Sequence, residues 1–306
     1  MSPLILHHYD FSNFAEKARL MLGFKGLAWR GVEIPPIAPK PKLTPLTGGY
    51  RRTPVLQDGA DIWCDTNLIA RELERRAPLP SLWPKSTAGF DEALVRWAEH
   101  QFMRPTALYV SGINADHMPQ GLHEDRARLH GLPVPSIEAV RKAAVRNLQL
   151  VKPQIAWLAD MLRDGRPYLL GAKPCIADFA AYHVVWFYRG RRIDCRAVFD
   201  AFPRLIAWRD RMTAIGHGQR TDIDPDTALA EARAARPAAP HRSDPQEGDP
   251  LPGQRARVRA ADNARDWIEG EVLFIDAGEI ALLRSDPEVG EVAVHFPRVG
   301  YDWRAA

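Results

Sequence analysis

Apolar and polar positions follow two different periods along this chain, and the fold changes where the period changes. Leu4, Ile5 and Leu6 open a β-prone run over residues 4–8. Ser12 and Asn13 then offer helix caps ahead of Phe14, Ala15, Ala18, Leu20, Met21 and Leu22, whose spacing predicts a helix. Asn13 with Glu16 three residues later predicts a capping box, Gly23 and Gly26 stop the helix, and residues 29–34 read as a second strand. The proline-rich stretch 35–45 can continue neither helix nor ladder. After Gly48 and Gly49, residues 53–56 and 62–64 read as two strands of a hairpin that turns at Asp58-Gly59. Asp65 caps a further helix through Leu68, Ile69 and Leu73, closed by Pro78 and Pro80.

From residue 86 to about 215 the period is helical almost throughout, with apolar stripes over 90–102, 140–162, 176–188 and 205–215. Such stripes chiefly mean a helix–helix core. Residues 222–253 are rich in Ala, Pro, Arg and Asp, which predicts a short helix capped near Asp226 and then a linker. Residues 255–259, 270–275, 279–284 and 291–296 alternate apolar with polar between turn-formers such as Gly278 and Pro287. The expected organisation is an α/β unit over 1–80, an all-α unit over 86–220, a short helix and linker over 221–252, and a small antiparallel β domain over 253–306.

Composition narrows the function. The 306 residues are 46% hydrophobic and 26% charged, the balance of a globular protein with room for several cores. Lys and Arg number 41 against 38 Asp and Glu, so the net charge of +3 gives no concentrated field and no nucleic-acid partner is expected. The clusters at Arg51-Arg52, Arg75-Arg76 and 189–192 fit solvated helix ends. Cys64, Cys175 and Cys195 have no zinc-site spacing, so no metal is expected and a reducing compartment fits. No run approaches the ~18 apolar residues of a membrane span, and the N-terminal run reads as a strand and not as a signal peptide. These features together predict a cytoplasmic protein without a membrane partner.

Three short segments carry chemistry. Ser12 stands where the first strand gives way to the first helix, and unpaired helix N–H groups with the positive dipole end favour a thiolate bound there. Its hydroxyl can add a hydrogen bond to the sulfur, although read alone Ser12 is a plain N-cap. Thr53-Pro54 opens a strand, where a cis peptide would turn the Thr53 N–H and C=O toward a ligand and a trans edge proline is the ordinary alternative. Asp65-Thr66 sits at a second helix start, able to receive an ammonium and a carboxylate, or simply to cap.

In combination these segments resemble a known family. Residues 12–22 resemble the active-site helix of glutathione transferases, Thr53-Pro54-Val55-Leu56 their cis-proline segment, and Asp65-Thr66 the pair that grips the γ-glutamyl group. Tyr168-Leu169-Leu170-Gly171 with Pro174-Cys175-Ile176-Ala177-Asp178 looks like their helical-domain capping segment. The resemblance covers about residues 4 to 215. It implies a thioredoxin-like N-terminal domain and an all-α domain, here followed by a small antiparallel β domain. It also implies glutathione as co-substrate, a small electrophilic co-substrate and a homodimer. Ser12 then takes the catalytic place of the serine-type members, and Arg52, Thr53, Pro54, Asp65 and Thr66 bind glutathione. Trp97, Phe102, Met103 and Tyr109 are candidates for the co-substrate pocket, with core packing as the alternative. Asn13 departs from the proline of many members, and Cys175 from their serine or threonine. The competing class is a non-catalytic ligand-carrying or protein-interaction module on the same fold. The segment 294–301, with His295, Phe296, Arg298 and Tyr301, either lines a site or covers the helical unit; alternating strands need a surface to bury one face, so covering is expected.

Overall fold

The computed structural model describes residues 3–85, 87, 89–239 and 243–306; Ser86, where the helical unit was expected to start, and Pro240 of the expected linker lie outside them. The N-terminal unit runs β1 (Leu4–His8), α1 (Asn13–Phe24), β2 (Ala28–Glu33), α2 (Thr44–Thr47), β3 (Val55–Asp58), β4 (Asp61–Cys64) and α3 (Thr66–Arg76). Strand period 2 sends Leu4, Leu6, Leu56 and Trp63 into the core beneath α1 and α3. Ile5, Val32, Val55 and Ile62 face the opposite core. The sheet is thus buried on both faces. At the start of α1 the cap is Ser12, whose Oγ accepts the Ala15 N–H at 3.1 Å. The expected Asn13–Glu16 capping box does not form, because Glu16 instead binds Arg19 at 2.8 Å and His217 at 3.0 Å.

The helical unit comprises α4 (Phe90–Arg96), a π-helical turn at Trp97–Phe102, α5 (Met103–Ile113), α6 (Leu122–Leu129), α7 (Ile137–Asp160), α8 (Ile176–Phe187) and α9 (Pro203–Ala214). Its core continues the one under α1 and α3, with Phe102, Phe179, Tyr188 and Trp208 fully buried. Asp178 offsets the weak cysteine cap of α8. Its carboxylate accepts the Cys175 N–H at 3.0 Å, the Leu169 N–H at 2.9 Å and the Trp208 indole N–H at 2.8 Å. Among the described residues no helix is long and apolar enough to cross a membrane.

The C-terminal segment departs most from expectation. β5 (Gln219–Asp222) adds to β2 in parallel, and α10 (Pro225–Ala234) is capped by Asp224 and not Asp226. β5 is short, polar and largely exposed, so it carried no apolar alternation to read. Five strands follow: β6 (Arg255–Ala260), β7 (Ile268–Ile275), β8 (Glu279–Asp286), β9 (Gly290–Pro297) and β10 (Tyr301–Ala305). They are antiparallel to one another, but β9 also pairs in parallel with β4, through Asp61↔Ala293, Ile62↔Val294 and Trp63↔His295. One ten-stranded sheet results, in the order β10-β6-β7-β8-β9-β4-β3-β1-β2-β5. The tail therefore covers the sheet edge and shares a core with Ile5, Val32 and Ala228 of α10, instead of lying over the helices. It reaches the helical unit at the β6–β7 loop, where the Ala264 N–H donates to the Leu129 carbonyl at 2.9 Å.

A buried charge cluster seals the β4–β9 seam. His295 lies 2.5 Å from Glu279 through Nδ1 and 3.1 Å from Asp61 through Nε2, with its ring stacked on Trp63. Two carboxylates on the two ring nitrogens require the doubly protonated imidazolium. Burial opposes that charge, yet the hydrogen bonds and charges of Asp61 and Glu279 prevail and raise His295 to about 9. Because this lies above the ordinary value of 6.5, the stabilisation is complete below pH 6.5 and is lost as pH rises through about 9. It amounts to about 3 kcal/mol as an upper order of magnitude. The urea midpoint should therefore fall between neutral pH and about pH 10 in the wild type and far less in His295→Gln. Equal slopes in the two proteins would remove His295 as the titrating clamp.

Candidate active site

Strand register gathers the candidate residues at one end of the sheet. His7 lies opposite Val55, and Val55 opposite Cys64. The segment before β3, the turn after β1 and the residue after β4 are therefore neighbours, and α1 and α3 both begin there. Two helix N-termini thus converge beside a strand end, giving a positive local field with unpaired N–H donors.

Ser12 is nearly buried at 5% exposure, and its oxygen serves as the α1 cap acceptor. A hydroxyl keeps one proton to donate while accepting, so capping and donation to a ligand are compatible. The Thr53–Pro54 peptide is cis, and the β1–β3 ladder begins only at Val55, which leaves Thr53 outside the pairing. Lys40 donates from Nζ to Thr53 Oγ1 at 2.8 Å. Burial, reinforced by Arg126, lowers the Lys40 ammonium to about 8.

Asp65 caps α3, accepting the Asn67 N–H at 2.9 Å, and adopts φ of 79°. Such a backbone costs of order 1–3 kcal/mol and is held by the surroundings. Burial and the nearby Glu99 charge raise its carboxyl above the usual aspartate value. Thr66 is buried, and its Oγ1 accepts from Lys17 Nζ at 3.2 Å, which leaves the threonine proton to point elsewhere. Arg52, partly exposed, is held by the Asp262 carboxylate and the Asn263 carbonyl of the β6–β7 loop.

Beneath these residues lies a polar junction between the two units. Lys17, fully buried, donates to Glu99 at 2.6 Å and to Asn67 Oδ1 at 2.8 Å, while Asn67 donates to the second Glu99 oxygen at 3.0 Å. Burial opposes the Glu99 charge, but the Lys17 ammonium and His183 hold its carboxyl well below the usual range. Glu99 belongs to the π-helical turn, a feature frequent at functional sites. Asn13 donates to His183 Nδ1 at 2.9 Å and to the Met103 sulfur at 3.0 Å, tying the start of α1 to α8 and α5. The residue that departs from proline thus gains a tertiary anchor.

Packing accounts for several further residues. Phe102 and Met103 belong to the core, and Trp97 stacks on Phe102 at 5.3 Å, so packing explains this group better than a co-substrate pocket. Cys64 is buried, with its thiol pushed up by burial and by Asp65, the behaviour of a core cysteine. His7 contacts Gln57 at 2.7 Å and His8 accepts from Arg19 at 3.1 Å, both as core groups. Among the described residues no group of His, Cys, Asp or Glu has the arrangement of a metal site. Lys17, Lys40 and Glu99 were not singled out from sequence. Only Lys40 carried a signal, lying between Pro39 and Pro41 in a stretch of restricted backbone.

Two family models match: the glutathione S-transferase N-terminal domain over residues 6–81 and the glutathione S-transferase C-terminal domain over residues 138–211. A search of curated proteins finds no match. Among solved structures, a GST-like protein from Pseudomonas syringae is 37% identical with a TM-score of 0.78, each chain covered to 100%. A glutathione transferase from Phanerochaete chrysosporium is 16% identical with a TM-score of 0.57, covering 70% of this chain and 98% of its own. A glutathione S-transferase from Rhodospirillum rubrum F11 is 20% identical with a TM-score of 0.51, covering 69% and 88%. The last two show the fold alone, whereas the Pseudomonas syringae protein aligns over the full length, C-terminal strands included.

The junction yields a test. Lys17→Met leaves the Glu99 charge buried and unpaired, and urea unfolding should show a loss of about 3–5 kcal/mol. The double variant Lys17→Met/Glu99→Gln should recover part of that loss; a double variant as unstable as the single one would rule out the orphaned charge as its cause.

Proposed function

Because the chain belongs to the glutathione S-transferase family, we propose that it binds glutathione at the convergence of α1, α3 and the Thr53–Pro54 segment and directs the thiolate onto a small electrophilic or hydrophobic molecule. The observation that carries this reading is the meeting of two helix N-termini, capped by Ser12 and Asp65, beside a strand residue left out of its ladder. The α1 N-terminus lowers the thiol pKa and the Ser12 hydroxyl donates a hydrogen bond to the sulfur. Thr53 offers main-chain groups to the extended tripeptide, next to cis Pro54. Asp65 receives the γ-glutamyl ammonium. The α-carboxylate meets the α3 N-terminus and the Thr66 hydroxyl above the Lys17 charge. Lys40 and Arg52 flank Thr53 with positive charge for the glycyl carboxylate.

On this reading the thiolate carbon–sulfur bond forms as the electrophile's leaving group, or its π-electron pair, departs from the attacked carbon. The thiol proton is released to solvent, and in an addition the atom that receives the electron pair takes up a proton from solvent. Three buried free cysteines fit a reducing compartment, and we place the protein in the cytoplasm as a homodimer, in keeping with the family resemblance. A second reading, a ligand-carrying or interaction module without catalysis, draws on the engagement of Arg52 by the tail. Turnover with a panel of electrophiles separates the two.

Ser12→Ala should cut turnover by about tenfold or more while sparing retention on immobilised glutathione; unchanged turnover removes Ser12 from the mechanism. Lys40 makes a pH-dependent prediction. Its ammonium is charged below about 8 and neutral above, so its contribution to affinity disappears as pH rises through that value. S-methylglutathione, which has no thiol to titrate, should bind wild type more tightly than Lys40→Met at neutral pH, with the two affinities converging in alkali. A gap independent of pH would assign Lys40 a packing role.

A further inference from the structure

Asp65, the residue assigned to the γ-glutamyl ammonium, is also gripped from the C-terminal tail. Tyr301, buried at the start of β10, donates its hydroxyl to Asp65 Oδ2 at 3.2 Å. Its oxygen lies 2.9 Å from the hydroxyl of Tyr50, also buried. With the Tyr301 proton on Asp65, Tyr50 becomes the donor to Tyr301, giving a chain of hydrogen bonds that ends on the carboxylate. Both rings are fixed in place. Tyr50 and Tyr301 each pack on Phe296, at 6.0 and 5.9 Å, and Tyr301 is paired with Ala260 in the β10–β6 ladder. Arg52 lies over the Tyr301 ring at 5.9 Å.

Resting on the glutathione reading above, we propose that Tyr301 is a positioning residue of the glutathione site, its hydroxyl fixing the Asp65 carboxylate where it receives the γ-glutamyl ammonium, so that the C-terminal strands supply part of the binding site. A carboxylate accepts about four hydrogen bonds. Asn67 N–H takes one site on Oδ1 and Tyr301 one on Oδ2, which leaves acceptor capacity on both oxygens for an ammonium. The need for an added donor is physical. Asp65 has a strained backbone, and burial and the Glu99 charge disfavour its anion, opposed by the Asn67 N–H, Lys17 and Arg52. Cys64 and Tyr50, the remaining titratable groups facing it, are themselves held neutral by burial.

Two variants isolate the contact. Tyr301→Phe and Tyr50→Phe each remove one hydroxyl from the same buried pair and keep the ring; Tyr301→Phe should lose more stability, because it also orphans the Tyr50 hydroxyl and takes a donor from Asp65. Only the first touches Asp65. Calorimetric titration with S-methylglutathione should show Tyr301→Phe weakened about tenfold at neutral pH, as expected for a lost hydrogen bond to a charged group. The acid limb of its affinity profile should also move to higher pH, because the Asp65 anion has lost a donor. Tyr50→Phe should bind within about twofold of wild type, its acid limb unmoved. The double variant leaves no orphaned hydroxyl and should reproduce the Tyr301→Phe binding loss even if that single variant is poorly folded. Equal weakening in both single variants, or wild-type affinity in Tyr301→Phe and in the double variant, would overturn the assignment while leaving glutathione binding intact. Failure of the wild type itself to bind would overturn the glutathione reading, and the role of Tyr301 with it.

Discussion

The parallel pairing of β4 with β9 is the constraint on which the arrangement depends. An N-terminal unit ending at β4 would present an open ladder edge, and an isolated group of short strands would have one apolar face without a partner. The Asp61↔Ala293 to Trp63↔His295 register meets both needs and makes one ten-stranded sheet from distant parts of the chain. Once β9 is fixed on β4, which leads directly into Asp65, the turn that follows β9 is carried to the start of α3, and Tyr301 comes with it. The same pairing explains why the tail core includes Ile5 and Ile62, residues of the first sixty-odd positions.

Two of the buried charge clusters lie at seams between units. Lys17–Glu99 joins α1 to the helical unit, and His295 with Asp61 and Glu279 joins the tail to the β3–β4 hairpin. Such groups are costly to desolvate and gain most by geometry, since a slipped register or a rotated domain would leave a charge unpaired. The consequence at the candidate site is positional. Lys17 also holds Thr66 and Asn67, so the interaction that fixes the units against each other orients the α3 N-terminus.

Most of the helical and thioredoxin-like architecture was legible in the sequence because periodic apolar positions there coincide with cap and stop residues. The α1 run from Phe14 to Leu22 and the Pro54 strand are examples. The three segments around Ser12, Pro54 and Asp65 were legible as a set because each combines a special backbone residue with a helix or strand start. What could not be read was long-range: β5 is polar, the β4–β9 pairing links residues more than two hundred positions apart, and Lys17 looks like any solvent-facing helix lysine. Tyr301 fell within a segment notable for its aromatics, but only the register of the tail aims its hydroxyl at Asp65. Ser12, not Asn13, proved to be the cap because Asn13 found buried partners on α5 and α8.

The central claim, that the beginnings of α1 and α3 with the Thr53–Pro54 segment form one cradle for a γ-glutamyl tripeptide, is tested most directly by a crystal structure of the full chain grown with glutathione. The sulfur is expected within hydrogen-bond distance of Ser12 Oγ, the cysteinyl main chain paired with Thr53, and the γ-glutamyl ammonium on Asp65 while Tyr301 keeps its contact. Glutathione bound elsewhere, or no bound glutathione at millimolar concentration, would contradict it.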